Sequence, residues 1–455
     1  MRQLVKFAEE NYLNPFGKRR LLLAAPCAVR RQPSTVRMKS YKIQSITFLF
    51  LWLVSMILSA EFILSVSMIG LLVLALFQLK FEGPHVRVTW RDTLDKNWRR
   101  FKTEKVWWVI TISFFIVLFS AVYSSDIDYT LERLRIKLPF LVLPFAFLSM
   151  PRLTKKECYA IVYFLLFLMF ITCCYVGMNF LADFENIIDL IGRGQPVPTP
   201  SNHIRFSLTL ALSIIGGVAL WWDGFYFASK NERYLIGGMT LFLFAFIHIL
   251  SVRSGILALY LGLFMVGIHQ AIVSKKYWLI LVTIFGLAAV PFVAYQLFPS
   301  FQKKVAYAEW DFMQYQQGIG GNYSDSERIT SLIVGLEIGN AHPILGVGAG
   351  DLKQEVQSVY AEKFNDQYSY RKPHNQFLSY YAGTGIVGVL LFSFAFFFPL
   401  FYQKNYRNPL FLALHAIIFM SFMMENTVEN NFGISLYLFF LLMGVNYLNG
   451  DERIP

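Results

Sequence analysis

The chain has 455 residues, 56% of them apolar and 15% charged, with a mean hydropathy of +0.47. A water-soluble chain carries about a quarter charged residues, so a soluble globular fold is excluded; apolar runs of roughly 15–25 residues recur throughout and predict a polytopic, all-α membrane protein. The net charge of +12 fits basic loops retained in the cytoplasm better than nucleic acid, and no nucleic-acid partner is expected.

Residues 1–42 hold ten Lys and Arg. Within them RRLLLAAPCAVRRQP is too short to span a bilayer, and the apolar segment that follows reads as a retained helix, not a cleaved signal peptide. MKSYKIQSITFLFLWLV, from Met38, reads like a natural start. The segment is therefore expected to be a basic cytoplasmic tail or an over-extended gene start, with the latter preferred.

Twelve membrane helices are expected near 43–60, 62–79, 106–123, 136–149, 158–181, 204–222, 235–251, 255–272, 278–298, 376–401, 410–424 and 433–448. With both termini inside, the inner segments hold most of the 41 Lys and Arg, the pattern of cytoplasmic retention. The chain then divides into the tail, nine helices over 43–298, an outer loop over 299–375, and three helices with a short cytoplasmic tail over 376–455. Cys158, Cys173 and Cys174 lie in or at the edge of one apolar run and read as small apolar fillers. Cys27 lies in the tail, and no structural disulfide is expected.

An outer loop of about 75 residues is too long for a plain connector. Ser324 followed by Glu327 predicts a capping box, and Ile329, Leu332, Ile333 and Leu336 repeat at helical spacing behind it. Asp351 is placed to cap a second helix through LKQEVQSVYAEKF. These amphipathic helices are expected to lie against the bilayer surface and cover something. GVGAGD, 346–351, lacks the preceding strand and the Lys-Ser/Thr of a phosphate loop and reads as a turn between them.

The candidate chemistry lies at the outer ends of helices. RKPHNQFLSYYAGTGIVG, 371–388, sets His374 and Asn375 at the mouth of an apolar run. His374 is either solvated among headgroups or a general base, since imidazole titrates near neutrality. Gly383, Gly385 and Gly388 would admit a second helix or a lipid chain. Arg253, in HILSVRSGILAL, stands between two apolar runs with almost no loop; it either snorkels or serves a site. Arg328 sits in the first turn of the capped helix, against the helix dipole, with Glu327 or Asp325 as the expected partner. Arg205, in SNHIRFSL, is a further outward cation. Converging guanidinium groups suit a diphosphate without a divalent metal. Asp126 and Asp128 form the Asp-x-Asp of metal-dependent alternatives but read as solvated loop acids, and no metal or cofactor is expected. Glu425 and Glu429, in ENTVENN, could balance the arginines.

The twelve helices, SVRSG after the seventh, the outer loop with its early arginine and HPILGVGAGDL, and HNQFLSYYAGTGIVG opening the next helix together resemble the O-antigen ligase and polymerase superfamily, and within it the ligases most closely. These are metal-independent membrane glycosyltransferases of the C-type architecture. The resemblance maps the family's histidine onto His374 and its two arginines onto Arg328 and Arg253, which are 75 and 46 residues apart in the order Arg253, Arg328, His374; Arg205 resembles an additional arginine. SVRSG has Val where the family often has Ser. The resemblance implies a bacterial inner-membrane enzyme with a periplasmic site. It would take a glycan from undecaprenyl diphosphate and pass it to lipid A–core or another glycan acceptor, with His374, Arg328 and Arg253 catalytic and Arg205 and Asn375 binding substrate. A polymerase of the same superfamily is the alternative, and a twelve-helix transporter is the rival from another class.

Overall fold

The computed structural model describes residues 34–82, 85–317, 323–364 and 369–449. The tail, apart from its last residues, lies outside the described residues. The chain is an almost wholly helical, polytopic membrane protein. In order, its helices are α1 Ser34–Ile57, α2 Glu61–Leu76, α3 Leu94–Thr103, α4 Lys105–Ile110, α5 Ile112–Ser120, α6 Ile127–Ser149, α7 Lys155–Ala182, α8 Phe184–Gly192, α9 His203–Trp222, α10 Glu232–Leu250, α11 Arg253–Ser274, α12 Trp278–Leu297, α13 Pro299–Gln316, α14 Ser324–Ala341, α15 Leu352–Phe364, α16 Gln376–Phe401, α17 Pro409–Met424 and α18 Asn431–Asn449. Between α2 and α3, β1 Phe77–Glu82 and β2 His85–Trp90 form an antiparallel hairpin, an element the helical reading did not foresee.

Among the described residues, eight helices are long and apolar enough to cross a membrane, within α1, α7, α9, α10, α11, α12, α16 and α18. The expected third crossing, 106–123, falls on Lys105–Ser120, which meets the preceding Leu94–Thr103 at 77°. The second and eleventh are the shorter apolar helices α2 and α17. The fourth, expected at 136–149, begins nine residues earlier at Ile127, because Asp126 caps it by accepting from Tyr129 N at 2.8 Å. That carboxylate of the Asp-x-Asp pair is thus engaged in starting a helix.

The core runs through the bundle, with Trp52, Trp107, Phe140, Phe396, Phe422 and Phe439 fully or almost fully buried. Small residues let the central helices close on one another, as in membrane bundles generally. A Cβ on Gly255 would stand 2.4 Å from that of Ser207. This contact clamps the start of α11, with Arg253, against the start of α9, with Arg205.

The 299–375 segment departs from expectation in four ways. It opens with α13, a helix not predicted. The Ser324–Glu327 capping box does not form; Asp311 of α13, fully buried, instead accepts from Asp325 N at 2.7 Å and Ser326 N at 3.3 Å. Asp351 does not cap α15 with its side chain but accepts from Ser125 N and Asp126 N across the fold. Finally, α14 buries Ser326, Thr330, Ser331, Val334, Gly335, Ile338 and Gly339 against the bundle and leaves Ile333 and Leu336 exposed. The small face wins because backbone can approach backbone there: a Cβ on Gly335 would meet Pro373 Cγ at 2.5 Å, and one on Gly339 would meet the Tyr381 ring at 2.2 Å. The loop helix is therefore docked on the entrance of α16.

GVGAGD is a turn between α14 and α15, as expected, but it also reaches α16. Val347 N donates to Ala382 O, Gly348 N to Gly383 O, and Ile386 N to Pro343 O. To receive this loop, Gly385 takes φ +64°, and a side chain there would strike Ile344. The visitor at Gly383 and Gly385 is thus this loop, not a lipid chain or a second membrane helix.

Candidate active site

The entrance of α16 is held at every residue. Asn375 is its N-cap, with Oδ1 accepting from Leu378 N at 3.0 Å and Nδ2 donating to Met423 O at 3.1 Å. This amide, expected to bind substrate, is occupied in tying α16 to α17. His374 N donates to Ser331 Oγ at 3.2 Å, and that hydroxyl donates to Arg328 O at 2.8 Å. Ser379 Oγ donates to Pro373 O at 3.1 Å. The histidine backbone is fixed between α14 and α16, yet its ring is not used up: Nδ1 is buried and has no partner among the described residues. Burial first, then the charges of Arg328 and Arg371, push the imidazole down to about 4. It is neutral at physiological pH and able to accept a proton or a hydrogen bond.

Arg328 Nη2 donates to Glu425 Oε1 at 2.8 Å, so its partner is neither Glu327 nor Asp325. Glu327 instead faces Arg371 at 3.3 Å, and Asp325 takes Arg253 through both oxygens at 2.5 and 2.6 Å. A carboxylate 97 positions away takes Arg328 because Glu327, next to it on the helix, does not face it, and Asp325, one turn earlier, is held by Arg253. Glu425 is largely buried; desolvation holds its carboxyl above the ordinary range, opposed by the guanidinium groups of Arg328 and Arg205. Arg205 reaches the same place from the first turn of α9, whose N-cap Asn202 accepts from Ile204 N at 3.1 Å. Among the described residues, the Arg205 guanidinium has no ion pair or hydrogen bond.

Arg253 joins the group through Lys304 of α13, a residue the sequence did not single out. Lys304 Nζ donates to Gly194 O at 2.9 Å; burial, then the charge of Arg253, with Arg328 also contributing, pushes it down to about 8. His203 lies within the fields of Lys304, Arg328 and Arg205. The structure therefore brings Arg328 and Arg205 together around Glu425, sets His374 within the field of Arg328, and places Arg253 beside them with both of its Nη atoms already engaged. Glu429, the other acid expected to balance the arginines, faces Lys137 and Arg133 instead. No periodicity signals Lys304 or Asp311, which look like ordinary polar positions of an amphipathic helix.

Chemically, a neutral imidazole beside guanidinium groups, partly desolvated, can orient a hydroxyl and hold a phosphoryl oxyanion. No curated protein matches the chain. Residues 238–393, which include Arg253, Arg328, His374 and Asn375, match the family model Wzy_C, described as O-antigen ligase, and in this stretch the chain is similar to that family.

Proposed function

We propose that the protein transfers an O-antigen, or a related glycan, from undecaprenyl diphosphate to lipid A–core at the periplasmic face of the inner membrane, without a metal. The match of residues 238–393 to the O-antigen ligase model supports glycosyl transfer of the ligase or polymerase type. The finer reading is carried by one observation: the neutral, half-buried imidazole of His374, with a buried and unpartnered Nδ1, stands within the field of Arg328, which shares Glu425 with Arg205. The helix ends that bear these residues are those the distribution of Lys and Arg assigns to the outside, with 299–375 the periplasmic loop and both termini cytoplasmic.

The acceptor hydroxyl attacks the anomeric carbon of the donor. The bond from that carbon to the diphosphate oxygen breaks, the electron pair leaves with the diphosphate, and the hydroxyl proton passes to His374. An imidazole at about 4 is a weak base in the empty site; the arriving diphosphate, by its charge, favours the imidazolium and strengthens it. Arg328 and Arg205 stabilise the charge developing on the leaving group, commonly the largest contribution in such sites. Arg253, gripped by Asp325, holds the start of α11 and sets the local field; Asn375 positions His374.

The test is glycan transfer by purified protein without a gradient or added metal, with His374→Ala as the comparison. Loss of transfer with normal membrane insertion supports the reading, and full transfer by the variant ends it. A polymerase would run the same chemistry on another lipid-linked repeat. A lipopolysaccharide gel from a deletion strain separates the two: loss of all attached O-antigen marks a ligase, and a core bearing one repeat marks a polymerase.

A further inference from the structure

A second buried group of cations lies on the other side of the 371–376 segment, outside the site described above. Lys137 Nζ, 1% exposed, donates to Val428 O at 2.6 Å and pairs with Glu429 Oε1 at 2.7 Å. Arg133, 7% exposed, donates to Glu429 O at 3.1 Å and pairs with Glu132 at 2.5 Å. Gln376 completes the frame, donating to Glu429 Oε1 at 3.0 Å and accepting from Val428 N at 2.9 Å. The turn after α17 thus gives one carboxylate to each compartment, Glu425 to the first and Glu429 to the second. The strand before α16 likewise gives His374 to the first and Lys372 to the second.

The second compartment holds a small pocket of ≈ 30 Å³, whose lining includes Tyr129, Arg133, Lys372, Tyr380 and Glu429. Its polar groups are incompletely satisfied. Lys372 hydrogen-bonds the Tyr129 phenol, and among the described residues no carboxylate lies within ion-pair distance of it. The Tyr380 hydroxyl and Arg133 Nε are buried without a partner. Arg133, Lys353 and Lys372 stand 4.8, 5.7 and 5.0 Å from the centre of the one Tyr129 ring. Gathering like charges at one phenol is costly unless an anion offsets them. Burial, then the charge of Arg133, brings Lys372 down to about 8, with Glu429 and Glu132 opposing the shift.

We propose that this pocket is a second oxyanion site, which binds an acidic substituent of the acceptor glycan, a phosphate or a sugar carboxylate, through Lys372, Arg133 and the Tyr380 hydroxyl. The Cα atoms of Lys372 and His374 are at most about 7 Å apart along the chain. Because the two side chains face separate compartments, an anion held at Lys372 and a hydroxyl held at His374 belong to different sugar units of one acceptor; the donor's diphosphate belongs with Arg328 and Arg205. Naming the acceptor rests on the glycosyl-transfer reading; the preference for an oxyanion does not.

The experiment titrates inorganic phosphate into the purified full-length protein in detergent at constant ionic strength, following binding by calorimetry. Lys372→Gln is expected to weaken one binding event about tenfold and Arg328→Gln to leave that event in place. Tyr380→Phe, which alters a single hydroxyl, should weaken the same event, and Lys372→Arg should restore it. In transfer assays the KM for a phosphorylated acceptor should rise about tenfold in Lys372→Gln, while an acceptor stripped of its acidic groups should show no difference between variant and wild type. Equal phosphate binding by wild type, Lys372→Gln and Tyr380→Phe overturns the site, and a rise confined to the donor's KM overturns the acceptor assignment. Because the binding arm needs no turnover, it stands or falls apart from the fate of His374→Ala.

Discussion

Gly335→Ala tests whether the docking of α14 is what places the histidine. The added Cβ would lie 2.5 Å from Pro373 Cγ, where carbon atoms at rest stay 3.5–4.0 Å apart; α14 or the 371–375 segment must therefore shift by about 1–1.5 Å. Pro373 is buried and its ring is stiff, so the displacement passes to His374, whose own N–H is bonded to Ser331 of the same helix. Overpacking costs about 1–3 kcal/mol, while Ala in place of Gly inside a helix returns about 1 kcal/mol, which leaves a small net loss of stability. A misplacement of about 1 Å can cost about a hundredfold in rate. The variant should thus insert and melt nearly as wild type does while glycan transfer falls about a hundredfold, measured in membranes of equal protein content beside a thermal-unfolding curve. Transfer at the wild-type rate would refute the argument that this contact sets the geometry.

Arg328→Ala leaves Glu425 buried without its partner, and breaking a buried pair costs about 3 kcal/mol or more; a lowered melting temperature together with lost transfer is expected, and an unchanged melting curve would count against the pair at 2.8 Å. Asp311→Ala removes the acceptor for Asp325 N and Ser326 N and, as a lost cap, should destabilise by about 1–2 kcal/mol, read by denaturation of the detergent-solubilised protein. The kcat/KM for transfer, which reports the free protein, should stay level from pH 5 to 7, because His374, at about 4, remains neutral there. On the alkaline side the donor KM should rise through pH 8 as Lys304, at about 8, loses its proton. Lys304→Arg should abolish that limb, and an identical limb in the variant would rule Lys304 out. For stability the sign is opposite: the folded protein holds that proton less tightly than the unfolded chain, so this residue's contribution improves as pH rises from about 8 toward 10.5.

The apolar runs announced the membrane helices because a span is a local property: about twenty consecutive residues settle whether a helix can cross. The order of Arg253, Arg328 and His374 was likewise legible, as a motif. What the sequence misled about were partners and faces. Ser324 and Glu327 form a good local capping signal, yet Asp311, buried against the same helix start, takes the free amides. The apolar stripe Ile329, Leu332, Ile333 and Leu336 looked like the buried face, but Ser331, Gly335 and Gly339 are buried instead, since close approach to Pro373 and Tyr381 rewards small side chains that carry no hydrophobic signal. Glu425 reached Arg328 across 97 positions, and Glu429 went to Lys137 and Arg133. Local hydropathy thus determined that the chain crosses a membrane and roughly where, and only the tertiary structure decided which charges meet, because a buried ion pair is chosen by distance in space, and spacing along the chain does not encode it.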